Sequence, residues 1–131
     1  MATVSTQIKI TSNAATATTP GPLTFALSLD NTDTLTVNGR VIAEVEEVAA
    51  SGVPKIFDSS TTAEAYVYLN NISDTNMFVT NSSGAGSASD RFMMLKAGEA
   101  AFFPWAGSQD LHLDHGGAGT KKCEYFIFVQ A

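Results

Sequence analysis

Hydrophobic and polar positions alternate along most of this chain with a period of two. "LTFALSL" sets Leu23, Phe25, Leu27 and Leu29 on one side and Thr24, Ala26 and Ser28 on the other. Strict alternation over such a run predicts a strand with one face toward a core. "TQIKIT" repeats the pattern with Ile8 and Ile10, and "AEAYVYLNN" sets Ala63, Ala65, Val67 and Leu69 against Glu64, Tyr66 and Tyr68. "KIF", "NMFVTN", "RFMML", "EAAFFPW", "DLHLD" and "CEYFIFV" read as further short strands. "TLTV" runs into Asn38-Gly39, which predicts a hairpin. "RVIAEVEEV" predicts a strand, although its Ala, Glu and Val spacing also fits a helical turn.

Breakers separate these runs. Ser51-Gly52-Val53-Pro54 is one, Lys96-Ala97-Gly98 is a turn, and "NSSGAGSASD" and "HGGAGTKK" are small-residue loops. Roughly eight to ten strands with a turn signal about every ten residues predict an all-β, antiparallel β-sandwich of jelly-roll type. "TSNAATATTPGP" is Ala/Thr-rich and ends in Pro20-Gly21-Pro22. This organisation predicts an extended N-terminal arm over residues 1–22, carrying one strand, and a β-sandwich domain over 23–131.

Composition narrows the function. With 131 residues the chain is one core-forming domain, and only 15% of it is charged. Its polar surface must come from Thr, Ser, Asn and Gly, which suit strands and turns. A net charge of −6 gives no footprint for phosphate backbones or anionic lipid, so neither nucleic acid nor membrane is an expected partner. The single cysteine, Cys123, excludes an intramolecular disulfide. "MATVSTQIKI" shows no basic region followed by an apolar run, which predicts a chain retained in a reducing cytoplasm.

Candidate chemistry is sparse. His112, Asp114 and His115 in "LHLDHGG" are of metal-ligating type. Alternation turns His115 away from the other two unless the strand bends, and the chain has no earlier histidine to make a cupin set, so a polar strand end is the expected reading. Cys123 has no base that the sequence places beside it, and a structural thiol is expected. There is no nucleophile elbow, P-loop or dinucleotide fingerprint. Glu44, Glu46 and Glu47 are expected on a solvated strand face, and Glu99 alone makes no glycosidase pair. Neither catalysis nor a cofactor is expected.

"GEAAFFPW" is the most distinctive stretch. As a strand it puts Glu99, Ala101 and Phe103 on one face and Ala100 and Phe102 on the other, so its two phenylalanines point opposite ways. One enters the core and the other needs a second apolar surface. Pro104 confines the strand to a sheet edge or a bulge. Trp105 then stands at a corner, burying its ring and donating its indole N–H. A core plug, packing against another subunit and a sugar-stacking platform are all open readings.

"AYVYLNN", "FVTN", the Gly/Ser loop, "MLKAGEAAFFPWAG" and the closing "EYFIFVQ" together resemble small virion proteins of tailed bacteriophages, over roughly residues 63–131. In that family an edge strand ends in Asn, and a Leu-X-X-Gly-Glu stretch leads to an aromatic-Pro-Trp corner. The resemblance implies a β-sandwich of the head or tail. It favours a capsid decoration (cement) protein, trimeric and bound to the major capsid protein on the virion surface. On that reading Phe102, Phe103 and Trp105 serve inter-subunit or corner packing, and Ile8 and Ile10 belong to the arm.

Overall fold

In the computed structural model the chain is all-β and antiparallel, and residues 2–11, 28–62, 64–84 and 88–130 are described. Among the described residues nine strands follow in order: β1 (Ala2–Thr11), β2 (Ser28–Val48), β3 (Lys55–Phe57), β4 (Ala65–Asn71), β5 (Met77–Thr80), β6 (Arg91–Leu95), β7 (Ala100–Trp105), β8 (Leu111–Asp114) and β9 (Lys121–Gln130). The only helical element among the described residues is one 3-10 turn, Ala88–Asp90. The chain divides into two compact units, Met1–Thr36 and Val37–Ala131. The expected arm–domain boundary at residues 22 and 23 lies outside the described residues. β1 is a hydrogen-bonded neighbour of β2.

The second unit is a β-sandwich of two four-stranded sheets. Sheet I has the order β2-β9-β4-β7, with the part of β2 from Val37 onward, and sheet II has the order β3-β8-β5-β6. Alternation decides which side chains fill the space between them. On β4, Ala65, Val67 and Leu69 are fully buried while Tyr66, Tyr68 and Asn70 are not. On β9, Cys123, Tyr125, Ile127 and Val129 are buried. Sheet II contributes Phe57, Met77, Val79, Leu95, Leu111 and Leu113 to the same core. Each fully buried Leu, Ile, Val or Met contributes about 1.5–3 kcal/mol relative to exposure. This shared core holds the sheets together.

Two expectations need correction. Asn38-Gly39 does not turn the chain. Val37 lies opposite Gln130 and Val41 opposite Phe128, so the segments before and after the dipeptide both pair with β9. A hairpin would need them to pair with each other. Four steps on β2 against two on β9 make this an irregularity of the bulge kind within one continuous strand. Nor do the three glutamates share one face. Ile42 and Val48 pack on the core side, and Glu44 and Glu46 fall on that parity, whereas Glu47 points the other way and pairs with Lys122 at 3.0 Å. "RVIAEVEEV" is a strand, paired residue by residue from Val41 opposite Phe128 to Val48 opposite Lys121. A continuous ladder partner overrides its weak helical spacing.

Candidate functional site

The turn before β7 sets the register of the aromatic stretch. Glu99 N–H donates to the Lys96 carbonyl at 3.0 Å, and Gly98 takes φ +77°, a left-handed value that glycine adopts without penalty. The Glu99 carboxylate accepts the Lys96 N–H at 2.8 Å. This glutamate closes a turn. Asn71, fully buried at the end of β4, fastens the turn from the other side. Its amide donates to the carbonyls of Thr75, Leu95 and Lys96, and its carbonyl accepts from the Ser73 N–H and hydroxyl. β7 then runs along β4 with Phe102 opposite Tyr68 and Pro104 opposite Tyr66. It is the edge strand of sheet I, where a residue without an N–H is tolerated.

Phe103 and Trp105 turn inward. Both pack against the core and meet edge to face, 6.3 Å between centroids at 85°. The Trp105 indole N–H donates to the Gln109 carbonyl at 3.0 Å, and the ring stacks on Phe92 at 5.7 Å and 8°. Phe102 turns outward and stacks on Tyr66, at 6.1 Å and 11°. Ile8 and Ile10 stand in β1, and their side chains lie outside the described residues.

Phe102 is not alone on the outer side. Tyr68 lies directly opposite Phe126 across β4 and β9, with ring centroids 5.7 Å apart, and Phe126 stacks on Phe128 at 6.3 Å. Pro104, Ala43 and Val45 extend the same surface, and Val45 is 52% exposed. Five rings therefore line the face of sheet I that points away from the core. A sandwich that is self-sufficient as a monomer normally puts polar side chains there. The charged groups of this face sit toward one end: Glu124 accepts from Asn70 at 3.2 Å, and Lys122 pairs with Glu47. The expectation of a second apolar surface for one phenylalanine is met by these rings. Phe126, Phe128, Tyr66 and Tyr68 were not singled out from sequence. Their signal was nonetheless present: "AYVYL" and "EYFIFV" are apolar at both parities.

The remaining chemistry is bound up in structure. Both Arg91 Nε and a terminal guanidinium nitrogen donate to Asp114 Oδ2, at 2.9 and 2.6 Å, and the guanidinium lies 4.1 Å from the centre of the Phe78 ring. His115 Nδ1 accepts the Gly117 N–H at 3.2 Å, so its proton is on Nε2 and goes to the Val48 carbonyl at 2.9 Å. The His112 Nδ1 contact is with the Val53 carbonyl, at 3.1 Å. Among the described residues no group of three His, Cys, Asp or Glu side chains could hold a metal ion. Cys123 is fully buried and burial pushes its thiol up to about 11, the reverse of what a nucleophile requires. No family model, curated protein or solved structure matches this chain.

Proposed function

We propose that this protein is a structural, non-catalytic component of a tailed-bacteriophage virion, acting as a capsid decoration protein. The observation that carries the reading is the aromatic outer face of sheet I, a surface built for packing rather than for turnover. Contiguous apolar surface of this kind on a small domain marks an interaction site. Supporting it is the strand order β2-β9-β4-β7 over β3-β8-β5-β6. Counted from β2, we read it as the eight-stranded jelly roll, an architecture used by viral capsid proteins, lectins and cupins alike. Architecture alone does not choose among these, because function resides in the site. The resemblance of residues 63–131 to small virion proteins of tailed phages favours the capsid.

On this reading the protein is made in the bacterial cytoplasm, assembles as a homo-oligomer, with a trimer favoured, and binds the major capsid protein on the outside of the head. It stabilises the shell by mass action, because a ligand that binds only the assembled state opposes disassembly. β1, with Ile8 and Ile10, belongs to the proposed N-terminal arm and suits addition to a neighbour's sheet.

The test is the copy number of the chain in purified virions, by quantitative mass spectrometry against the major capsid protein. Comparable copy numbers support decoration, a few to a few dozen copies move the protein to the neck, tail or fibre, and absence from the particle overturns the reading. A carbohydrate-binding sandwich is the second reading, favoured by the nearly coplanar Tyr66 and Phe102 rings. Glycan-array binding abolished by Tyr66→Ala would replace the first with the second.

A further inference from the structure

The chain has two histidines, and the fold uses them differently. His112 Nδ1 meets the Val53 carbonyl, which can only accept, so that nitrogen carries the proton. A second proton, added at Nε2, leaves this bond in place. His115 is 2% exposed and uses both ring nitrogens. Its Nε2–H donates to the Val48 carbonyl at the end of β2, and its Nδ1 accepts the Gly117 N–H. A neutral imidazole has one donor and one acceptor, and here both are spent. An imidazolium has two donors and no acceptor. It would set Nδ1–H against the Gly117 N–H across 3.2 Å, and one of the two must leave.

These contacts tie three segments together. Residues 115–120 form the loop that joins β8 to β9. Gly117 lies against both the ring and the turn after β4: a Cβ placed on it would stand 3.6 Å from His115 Nδ1 and 3.5 Å from the Thr75 hydroxyl. That turn is itself fastened by the Asn71 amide at the Thr75 carbonyl. Through Val48 the same ring holds the end of β2.

The surroundings offer a cation no compensation. Among the described residues His115 makes no ion pair, and the charged groups on the segments around it are engaged elsewhere. On β8, Asp114 holds Arg91. On β3, Lys55 pairs with Asp58 and Asp110. Asp74, in the turn after β4, pairs with Lys121 of β9 at 2.7 Å. On β2, Glu47 pairs with Lys122, Glu44 accepts the Tyr125 hydroxyl, and Glu46 is crowded by burial and by these two glutamates. The Cys123 thiol on β9 is kept neutral by burial. A buried charge without a partner is costly, so the favourable place for an imidazolium is water. Reaching water breaks both of the ring's bonds.

We propose that His115 is an acid-sensitive latch: neutral, it pins the loop over residues 115–120 to the end of β2, and on gaining a proton it releases that loop. The released form holds one proton more than the closed form, so falling pH favours release and rising pH restores closure. The latch rests on contacts within one chain and stands whether or not the protein is found in virions.

The test uses the full-length chain in solution, between about pH 8 and 5, the span in which histidine changes charge. Long-range proton–nitrogen spectra read the protonation of each ring, and hydrogen exchange, corrected for its intrinsic pH dependence, reads the protection of single amides. His115 is expected to pass from the Nε2–H tautomer to the imidazolium. The Gly117 amide should lose protection by about tenfold or more in step with it, while the Ile127 amide in the middle of β9 keeps its own. His115→Asn keeps an acceptor oxygen near the place of Nδ1 and does not titrate, so the pH dependence at Gly117 should vanish. His112→Gln should leave that dependence intact. An imidazolium at His115 with Gly117 still protected overturns the proposal, as does a ring that stays neutral to the end of the range. So does a loss of protection that survives His115→Asn or disappears in His112→Gln. Should His115→Asn fail to fold, the wild-type spectra decide by themselves.

Discussion

The outer faces of the two sheets solve the same problem in opposite ways. On sheet II, Asp114 lies opposite Phe78 and His112 opposite Thr80, on the side away from Val79 and Leu113. These polar side chains are nearly buried, yet each is satisfied: Asp114 by Arg91, His112 at the Val53 carbonyl, Thr80 by the Ser82 N–H. Among the described residues no buried side-chain nitrogen or oxygen lacks a partner. Sheet I instead lines its outer side with five partly buried rings, most of which touch one another. Polar groups on a surface can be completed by their own chain, since a hydrogen bond needs one partner. Rings laid side by side on a flat sheet can be covered only by something placed on top of them.

A large effect should follow from breaking the closed face. Asp114→Ala leaves the Arg91 guanidinium, only 20% exposed, without its carboxylate. Removing one partner of a buried pair typically costs about 3–5 kcal/mol, and partial exposure of the arginine puts this case near 3. Urea unfolding of the variant should show that loss. A loss below about 1 kcal/mol would mean that the ion pair is an ornament of the surface, and the contrast between the sheets would fall with it.

Truncation on the open face should be much milder. Phe126→Thr puts a β-branched, strand-favouring residue in place of the ring and removes the contacts with Tyr68 and Phe128. Cross-strand aromatic pairs contribute roughly 0.5–1.5 kcal/mol, so stability measured at a concentration where the chain is monomeric should drop by about 1 kcal/mol. Ile127→Ala, one position along and fully buried, should cost about 2–5 kcal/mol. Equal losses at the two positions would mean that the outer rings are as buried as the core.

Much of this was legible in the residues. Alternation in "AEAYVYLNN" set Ala65, Val67 and Leu69 apart from Tyr66 and Tyr68, the division that β4 shows, "CEYFIFV" read as a strand, and "GEAAFFPW" placed Phe102 and Phe103 on opposite faces of a strand confined to an edge or a bulge. Trp105 at a corner with its N–H engaged followed from the same reasoning. What alternation cannot show is whether the second face of a strand is also covered, because periodicity identifies the two sides without saying what lies beyond each. The aromatic surface needed β2, β9, β4 and β7 to be set side by side, and that order is long-range information. Asn38-Gly39 misled for a related reason. The dipeptide permits a tight turn, but β9 offers pairing both before and after it, and the ladder kept the chain straight.

Acid should act on the two sheets with opposite sign, though weakly. At the β3–β8 end of sheet II, Asp110 accepts the Ser59 N–H and hydroxyl, each at 2.8 Å, and then Lys55 at 3.2 Å; these bonds lower its carboxyl to about 2. A carboxyl held below its unfolded value, about 3.9, stabilises the fold above that value, and the contribution is lost as pH falls from about 4 to 2. On β2, Glu46 is raised, first by burial and then by Glu44 and Glu47. Its ionised form is disfavoured in the fold, so it costs stability at neutral pH, and the cost disappears as pH falls below its raised value toward the unfolded one. Asp110→Asn should therefore lower the melting temperature at pH 7 and lose its effect near pH 2. Glu46→Gln should raise stability at pH 7 by a few tenths of a kcal/mol and become silent below about pH 4. Melting curves of both variants and the wild type between pH 2 and 7 read the two signs directly. A destabilised Glu46→Gln at pH 7 would mean that the carboxylate is held by partners rather than crowded by its neighbours.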